Sequence, residues 1–302
     1  MPSALSYPGV YVEEVPSGVR TLTGVSTSIT AFVGSAAAGP TDQAVMLTSF
    51  ADYERQFGGL ALSSPMSYAV RDFYLNGGAL ALVVRVAAAN ASRATVTLPG
   101  DTDLVLTALS AGAWGLRLSA AVDYDTDLGL GPGVTDTARF NLRLRYQPRA
   151  GRDEFVFETL SSVSTSPADP RYLPRVLERE SALARALADV PTGRPTTSVD
   201  GDGVVTWTPG LNGSDGAALT NVELLGNAAA RTGMHALADA DLFNLLVIPP
   251  LVRNVSTLPS TYTVVPPDVW QAAMAMCVER RAMLIVDPDP GWAVPVSSAI
   301  TL

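Results

Sequence analysis

Hydrophobic and polar residues alternate along this chain in several rhythms, and each rhythm predicts a different kind of element. Near the start, Tyr7, Pro8 and Gly9 lead into a stretch where Val10 and Val12 alternate with Tyr11 and Glu13, a period of two that predicts a short strand. Glu14 and Pro16 close it, and Pro8 and Pro16 exclude helix on both sides. Residues 17–28 set Gly18 and Gly24 among Ser, Thr and Val with no helical stripe, which predicts a linker. Fully extended, residues 13–28 reach roughly 50 Å, so this strand need not pair with its own body.

A second rhythm is the continuous apolar run. "ITAFVGSAAAGP" (29–40) predicts a buried strand ending in a Gly-Pro turn, and "ALALVVRV" (79–86) predicts another. Between them "SFADYERQFGG" predicts a short helix with Ser49 as N-cap, Asp52 at the capping-box position and Gly58 as the left-handed stop. "SPMSYAVRDFYLNGG" predicts a second, opened by Pro65 and stopped at Asn76, Gly77 and Gly78. A helix feeding directly into a continuous apolar strand is the mark of an α/β layer.

The middle of the chain alternates strictly. "ATVTL", "LVLTAL", "LRLSAAV", "RFNLRLRYQ" and "EFVFETL" predict half-exposed antiparallel strands. "RYLPRVLERESALARALADV" places Leu173, Val176, Leu177, Leu183, Leu187 and Val190 at helical spacing, which predicts one amphipathic helix across 171–190. Residues 191–216 are turn-rich, with "VVTWT" as their single predicted strand. From about residue 217 the α/β character returns: "FNLLVIPPL" and "AMLIVDPDP" predict buried strands, joined through the helix "DVWQAAMAMCVERR" with Asp268 as its predicted cap. Such a unit implies a parallel pair.

Composition narrows the functional classes. The chain has 302 residues, 47% of them hydrophobic and 16% charged, enough for a large core and too apolar for disorder. Its net charge is -9 and all 20 cations are arginines, a poor balance for binding nucleic acid. The single cysteine, Cys277, excludes an internal disulfide and reads as a buried structural thiol. With no cation before Arg20 and no apolar run of bilayer length, the sequence predicts neither a secretory leader nor membrane insertion, hence a protein made in a cytoplasm.

Candidate chemistry fails on spacing. Asp123, Asp125 and Asp127 resemble the start of a calcium loop, but Leu128 and Val134 stand where its Gly and Glu belong, so an acidic loop is expected. "SVDGDGV" reads as a hairpin turn. "GSAAAGP" and "LNGSDG" match neither a phosphate loop nor a nucleophile elbow. His235, with Asp239 and Asp241 nearby, lacks a nucleophile at any useful spacing, and Asp287 sits among prolines as a turn residue would. These readings predict no catalytic residue, cofactor or metal, and no enzyme.

In chain order, "YPGVYVEEVPSGVRTLTGVSTSITAFVG", "FADYERQFGG", "FYLNGGALALVVRV", "LSAGAWGLRLSAAV", "FNLRLRY", "FVFETLSSVS", "RYLPRVLERESALA", "LNGSDGA", "DLFNLLVIPPL" and "CVERRAMLIVDP" resemble the contractile tail sheath family. That family comprises the sheaths of contractile phage tails, tailocins and extracellular contractile injection systems. The resemblance covers nearly the whole chain, and the first block and "LNGSDG" are its more specific parts.

It implies an α/β (mixed α+β) fold: a sheath core with parallel strands and flanking helices, an inserted mainly antiparallel β region, and an extended N-terminal arm. The expected division is 1–28 arm and linker, 29–95 first part of the core, 96–216 insertion with one helix, and 217–302 second part of the core. The family's lumen-lining C-terminal domain would begin about where this sequence stops.

The resemblance implies that Tyr7, Pro8, Gly9, Val10, Tyr11, Val12, Glu13, Glu14 and Pro16 form an inter-subunit arm that adds a strand to a neighbour's sheet, with Gly18 and Gly24 in its linker. Implied partners are further copies of the chain in a helical homopolymer, an inner tube protein, and baseplate and terminal cap proteins. Glu54, Arg55, Arg179 and Glu180 are expected to exchange contacts between extended and contracted states, with a solvated face as the plainer reading of each. A non-contracting cap of the same particle is the alternative. Assembly in a bacterial cytoplasm, into a phage tail or tail-like particle, is the implied setting.

Overall fold

The computed structural model describes residues 29–126, 138–149, 151–186, 190–251, 253–254, 261–262 and 265–287. The predicted arm and linker, and with them every arm residue named above, lie outside the described residues.

Strands β1 (Thr30–Gly34) and β3 (Ala81–Arg85) are buried at every position and pair in parallel, Thr30 opposite Ala81 and Gly34 opposite Arg85. Burial on both faces explains why their sequences read as nearly continuous apolar runs, with Thr30 and Arg85 as the end positions. On the other side of β1, β11 (Leu245–Val247) pairs in parallel, and β14 (Met283–Ile285) pairs in parallel with β11. The antiparallel β2 (Ala44–Leu47) closes the far side, giving the order β14-β11-β1-β3-β2. Alternate residues serve opposite layers. Phe32 and Val83 pack with Tyr53, Phe57, Met66 and Val70 of α1 (Phe50–Phe57) and α2 (Pro65–Leu75). Val33 and Val84 pack with Met234 and Leu237, with Leu224 of α4 (Asn221–Leu225) and with Val269 and Ala273 of α5 (Pro267–Arg280), while β12 (Arg253–Asn254) and β13 (Thr261–Tyr262) form a separate antiparallel pair.

The caps of α1 follow the sequence with one variation. Ser49 accepts the Asp52 amide, and Gly58 ends the helix at φ 85°. The Asp52 carboxylate, however, reaches past the N-cap to the amide and hydroxyl of Thr48, at 3.2 and 2.7 Å. In α2, Pro65 stands in the first turn and Ser64 accepts the Ser67 amide. At α5 the expected cap is corrected: Pro266 is the N-cap residue, and Asp268 sits in the first turn, where its carboxylate accepts from the Asn221 amide group. A carboxylate there still complements the amide end of the helix.

Between β3 and β11 the chain builds an antiparallel β region around one core. One sheet is β4 (Thr95–Leu98), β5 (Leu104–Ala108) and β9 (Ala184–Ala186); the other, in the order β10-β6-β7-β8, contains β6 (Leu118–Asp123), β7 (Arg139–Tyr146), β8 (Val156–Ser164) and β10 (Thr208–Pro209). Phe140, Leu142 and Leu144 of β7 face that core, as their alternation predicts.

The helix predicted across 171–190 is corrected. α3 (Leu173–Glu180) lasts eight residues, and Ser181 then turns extended at φ -105°, ψ 132°. Its hydroxyl accepts the Leu183 and Ala184 amides and donates to Glu158, so the chain enters β9, where Ala184 and Ala186 pair with Ala108 and Leu106. Strand pairing overrides the helical spacing because it also buries Leu183 and Ala184. Within "VVTWT", only Thr208 enters a sheet, while Val205 bridges Val199.

Candidate assembly surfaces

An open α/β sheet holds ligands in the crevice at the carboxyl ends of its parallel strands. Here that crevice, about 220 Å³, is lined mainly by small residues, with Arg85 and Asp215 as its charged groups. Arg85 is 2% exposed, and burial holds its guanidinium down to about 10. It donates to the carbonyls of Ala36 and Gly39 at 3.0 and 2.6 Å, and to that of Ala111 in the β region at 2.8 Å. Asp215 accepts the Ala113 amide at 2.9 Å. Both charges therefore join the sheet to the β region.

The same junction explains "LNGSDG". Ser92 and Ser214 exchange backbone hydrogen bonds of 2.9 and 3.1 Å where the chain enters and leaves the β region. A Cβ on Gly213 would stand 2.8 Å from the Gly112 carbonyl oxygen, and one on Gly210 would strike that of Gly115. Only glycine permits this approach.

The other residues considered for chemistry take structural places. Asp123 accepts from the Asn141 amide at 2.7 Å and pairs with Arg143 at 2.6 Å, while Asp127 lies outside the described residues. Asp200 accepts the Asp202 and Val204 amides in a hairpin turn with Gly203 at φ 82°, as expected of "SVDGDGV". His235 is half-buried in the 3-10 helix Gly233–Asp239; Asp239 pairs with Arg231, and Asp241 is exposed. Asp287 is exposed after β14. Cys277 is buried against the sheet, and burial pushes its thiol up. Among the described residues no group of three His, Cys, Asp or Glu can hold a metal ion, and no helix is long and apolar enough to cross a membrane.

What stands open is sheet edge and apolar surface. β14 pairs only with β11, which leaves its outer edge free of strands among the described residues. Met283 and Ile285 are 66% and 42% exposed, and Met274 and Val278 of the preceding α5 are 57% and 76% exposed. An edge so flanked is a template for a further strand. The sequence pattern missed this surface, because "AMLIVDPDP" reads as a buried strand; the Met274 to Val278 spacing, four residues along α5, was the available signal.

Comparison with known proteins gives the following. No protein-family model matches the sequence, and no curated protein does. Several solved structures align with it, two sheath tail proteins among them. A sheath tail protein from Listeria innocua shows 18% identity and a TM-score of 0.48 over 74% of this chain and 40% of its own. A sheath tail protein from Desulfitobacterium hafniense shows 16% identity and a TM-score of 0.48 over 90% of this chain and 50% of its own. The chain spans at most half the length of either.

The four surface residues expected to exchange contacts are dispersed. Glu54 lies 4.0 Å from Arg149, Arg55 pairs with Asp52, Glu180 binds Arg171 through two contacts of 3.0 and 3.2 Å, and Arg179 is exposed at the end of α3.

Proposed function

We propose that this protein is a structural subunit of a contractile tail sheath. It polymerises helically around an inner tube, and it contracts to drive that tube through a target envelope. The observation that carries the reading is the β14 edge, unpaired among the described residues, with its exposed apolar flank, in a chain whose first residues carry a strand pattern on a long tether. One supplies a donor strand and the other an acceptor edge, the two halves of a β-augmentation between copies.

In this reading the stretch from Tyr7 to Pro16 pairs with a neighbouring copy, and the linker containing Gly18 and Gly24 lets bodies shift while the strand stays paired. Contraction draws on apolar burial between bodies, about 25 cal/mol per Å², summed over many copies. Baseplate and terminal cap proteins then bound the polymer at its two ends, and assembly takes place in the bacterial cytoplasm.

Electron microscopy of the full-length protein beside a variant lacking residues 1–28 tests the proposal. Hollow helical tubes from the first and dispersed monomers from the second are expected. If both remain monomeric with inner tube protein present, the polymer reading is overturned and a non-contracting cap replaces it.

A further inference from the structure

The outer row of β7 and β8 carries a surface separate from the β14 edge. Arg145 lies with its guanidinium carbon 4.3 Å from the ring centre of Trp207 and 5.0 Å from that of Phe155. Its cross-strand partner Phe157 is 61% exposed, and the Phe157 and Trp207 rings are 6.1 Å apart. The other outward arginines of this strand have carboxylates: Arg139 pairs with Asp169 at 3.0 Å and Arg143 with Asp123 at 2.6 Å. Arg145 has none among the described residues, and its Nε is buried without an acceptor. Stacking between rings holds a guanidinium in one plane and leaves its donor edge for a carboxylate. A Trp, an Arg and a Phe gathered in one patch match the composition of protein-interface hot spots.

Charge identifies the partner. Of the five arginines in residues 139–152, Arg139, Arg143 and Arg149 have carboxylates at 3.0, 2.6 and 4.0 Å, so Arg145 stands as a stacked cation without one among the described residues, in a chain of net charge -9. A further copy of the same acidic chain can supply the missing carboxylate. Register shows where its carboxylates lie. Arg145 pairs with Ser119, Ser119 with Pro209, and Leu211 bridges Thr95, so β4 starts at the socket end of the β region and runs away from it. At the far end, beyond the Leu98 to Leu104 pair, the β4–β5 turn exposes Asp101 and Asp103, and neither makes an ion pair or hydrogen bond among the described residues.

We propose that these ends are the two halves of one contact between copies: Asp101 and Asp103 of one copy dock on Arg145, Phe157 and Trp207 of the next. The contact is head-to-tail, which gives an open assembly when its rotation does not close a ring; the open form rests on the sheath reading.

Sedimentation velocity on full-length protein across concentration and salt tests it, with Arg145→Glu, with the pair Asp101→Arg and Asp103→Arg, and with all three changes together. The unaltered protein should associate and weaken with salt. Arg145→Glu and the aspartate pair should each move association to concentrations about tenfold higher or more, and the combined variant should return toward the original. Circular dichroism and thermal melts check that each variant is folded. Association unchanged by Arg145→Glu, no recovery in the combined variant, or a monomer at every concentration overturns the proposal. Deleting residues 1–28 separates the two readings: tubes that need the arm but ignore Arg145→Glu keep the sheath reading and remove the socket.

Discussion

Arg85 shows how much one residue can hold in this molecule. Its three donors reach carbonyls at positions 36, 39 and 111, binding the loop after β1 and the β region to the end of β3. Arg85→Met would leave those carbonyls without a buried donor, and it should lower stability by about 3 kcal/mol or more. Arg85→Lys should recover only part, because one ammonium cannot span a fork of separated acceptors. Urea titrations followed by fluorescence measure both, and equal midpoints for all three proteins would remove the clamp. In the sequence, Arg85 is legible only as an arginine interrupting an apolar run. Its role is invisible there, because two of its acceptors lie more than 45 residues upstream and the third lies 26 downstream. Local signals fared better: Ser49, Gly58 and the Asp200 turn work through neighbours within four residues, and all three were read correctly.

Among the elements, the same division holds. β1 and β3 were readable because burial on both faces fills them with apolar residues, the polar Thr30 and Arg85 standing only at their ends. The segment 171–190 was misread because Leu183 satisfies the helical spacing of α3 while it belongs to the approach to β9. The change of direction depends on Glu158, 23 residues upstream, which no local pattern reveals. Ser181→Ala should therefore cost about 1–2 kcal/mol and act locally. Hydrogen exchange should accelerate at the amides of β9 and leave β1 and β3 protected. A uniform acceleration would mean that the Ser181 turn is not a separate device.

At the scale of the whole molecule, the sheet has two dissimilar edges. β2 is antiparallel to its neighbour, whereas β14 continues the parallel set and carries exposed Met283 and Ile285. Ile285→Lys should leave stability within about 0.5 kcal/mol, since the side chain is already 42% exposed. It should also prevent tube formation, because a lysine on an edge strand discourages a further strand. Unchanged tubes in electron micrographs would exclude β14 as the acceptor.

The stitch between Ser92 and Ser214 has a different consequence. The chain departs for the whole β region and returns from it through two residues lying side by side, about 5.5 Å apart as in an antiparallel pair that exchanges both hydrogen bonds. Such a seam makes the β region exchangeable cargo. A short hairpin, or a foreign domain with adjacent termini, can be grafted between these two serines with the pairing of the five central strands kept, provided that the graft returns a carbonyl to Arg85 where Ala111 now supplies one.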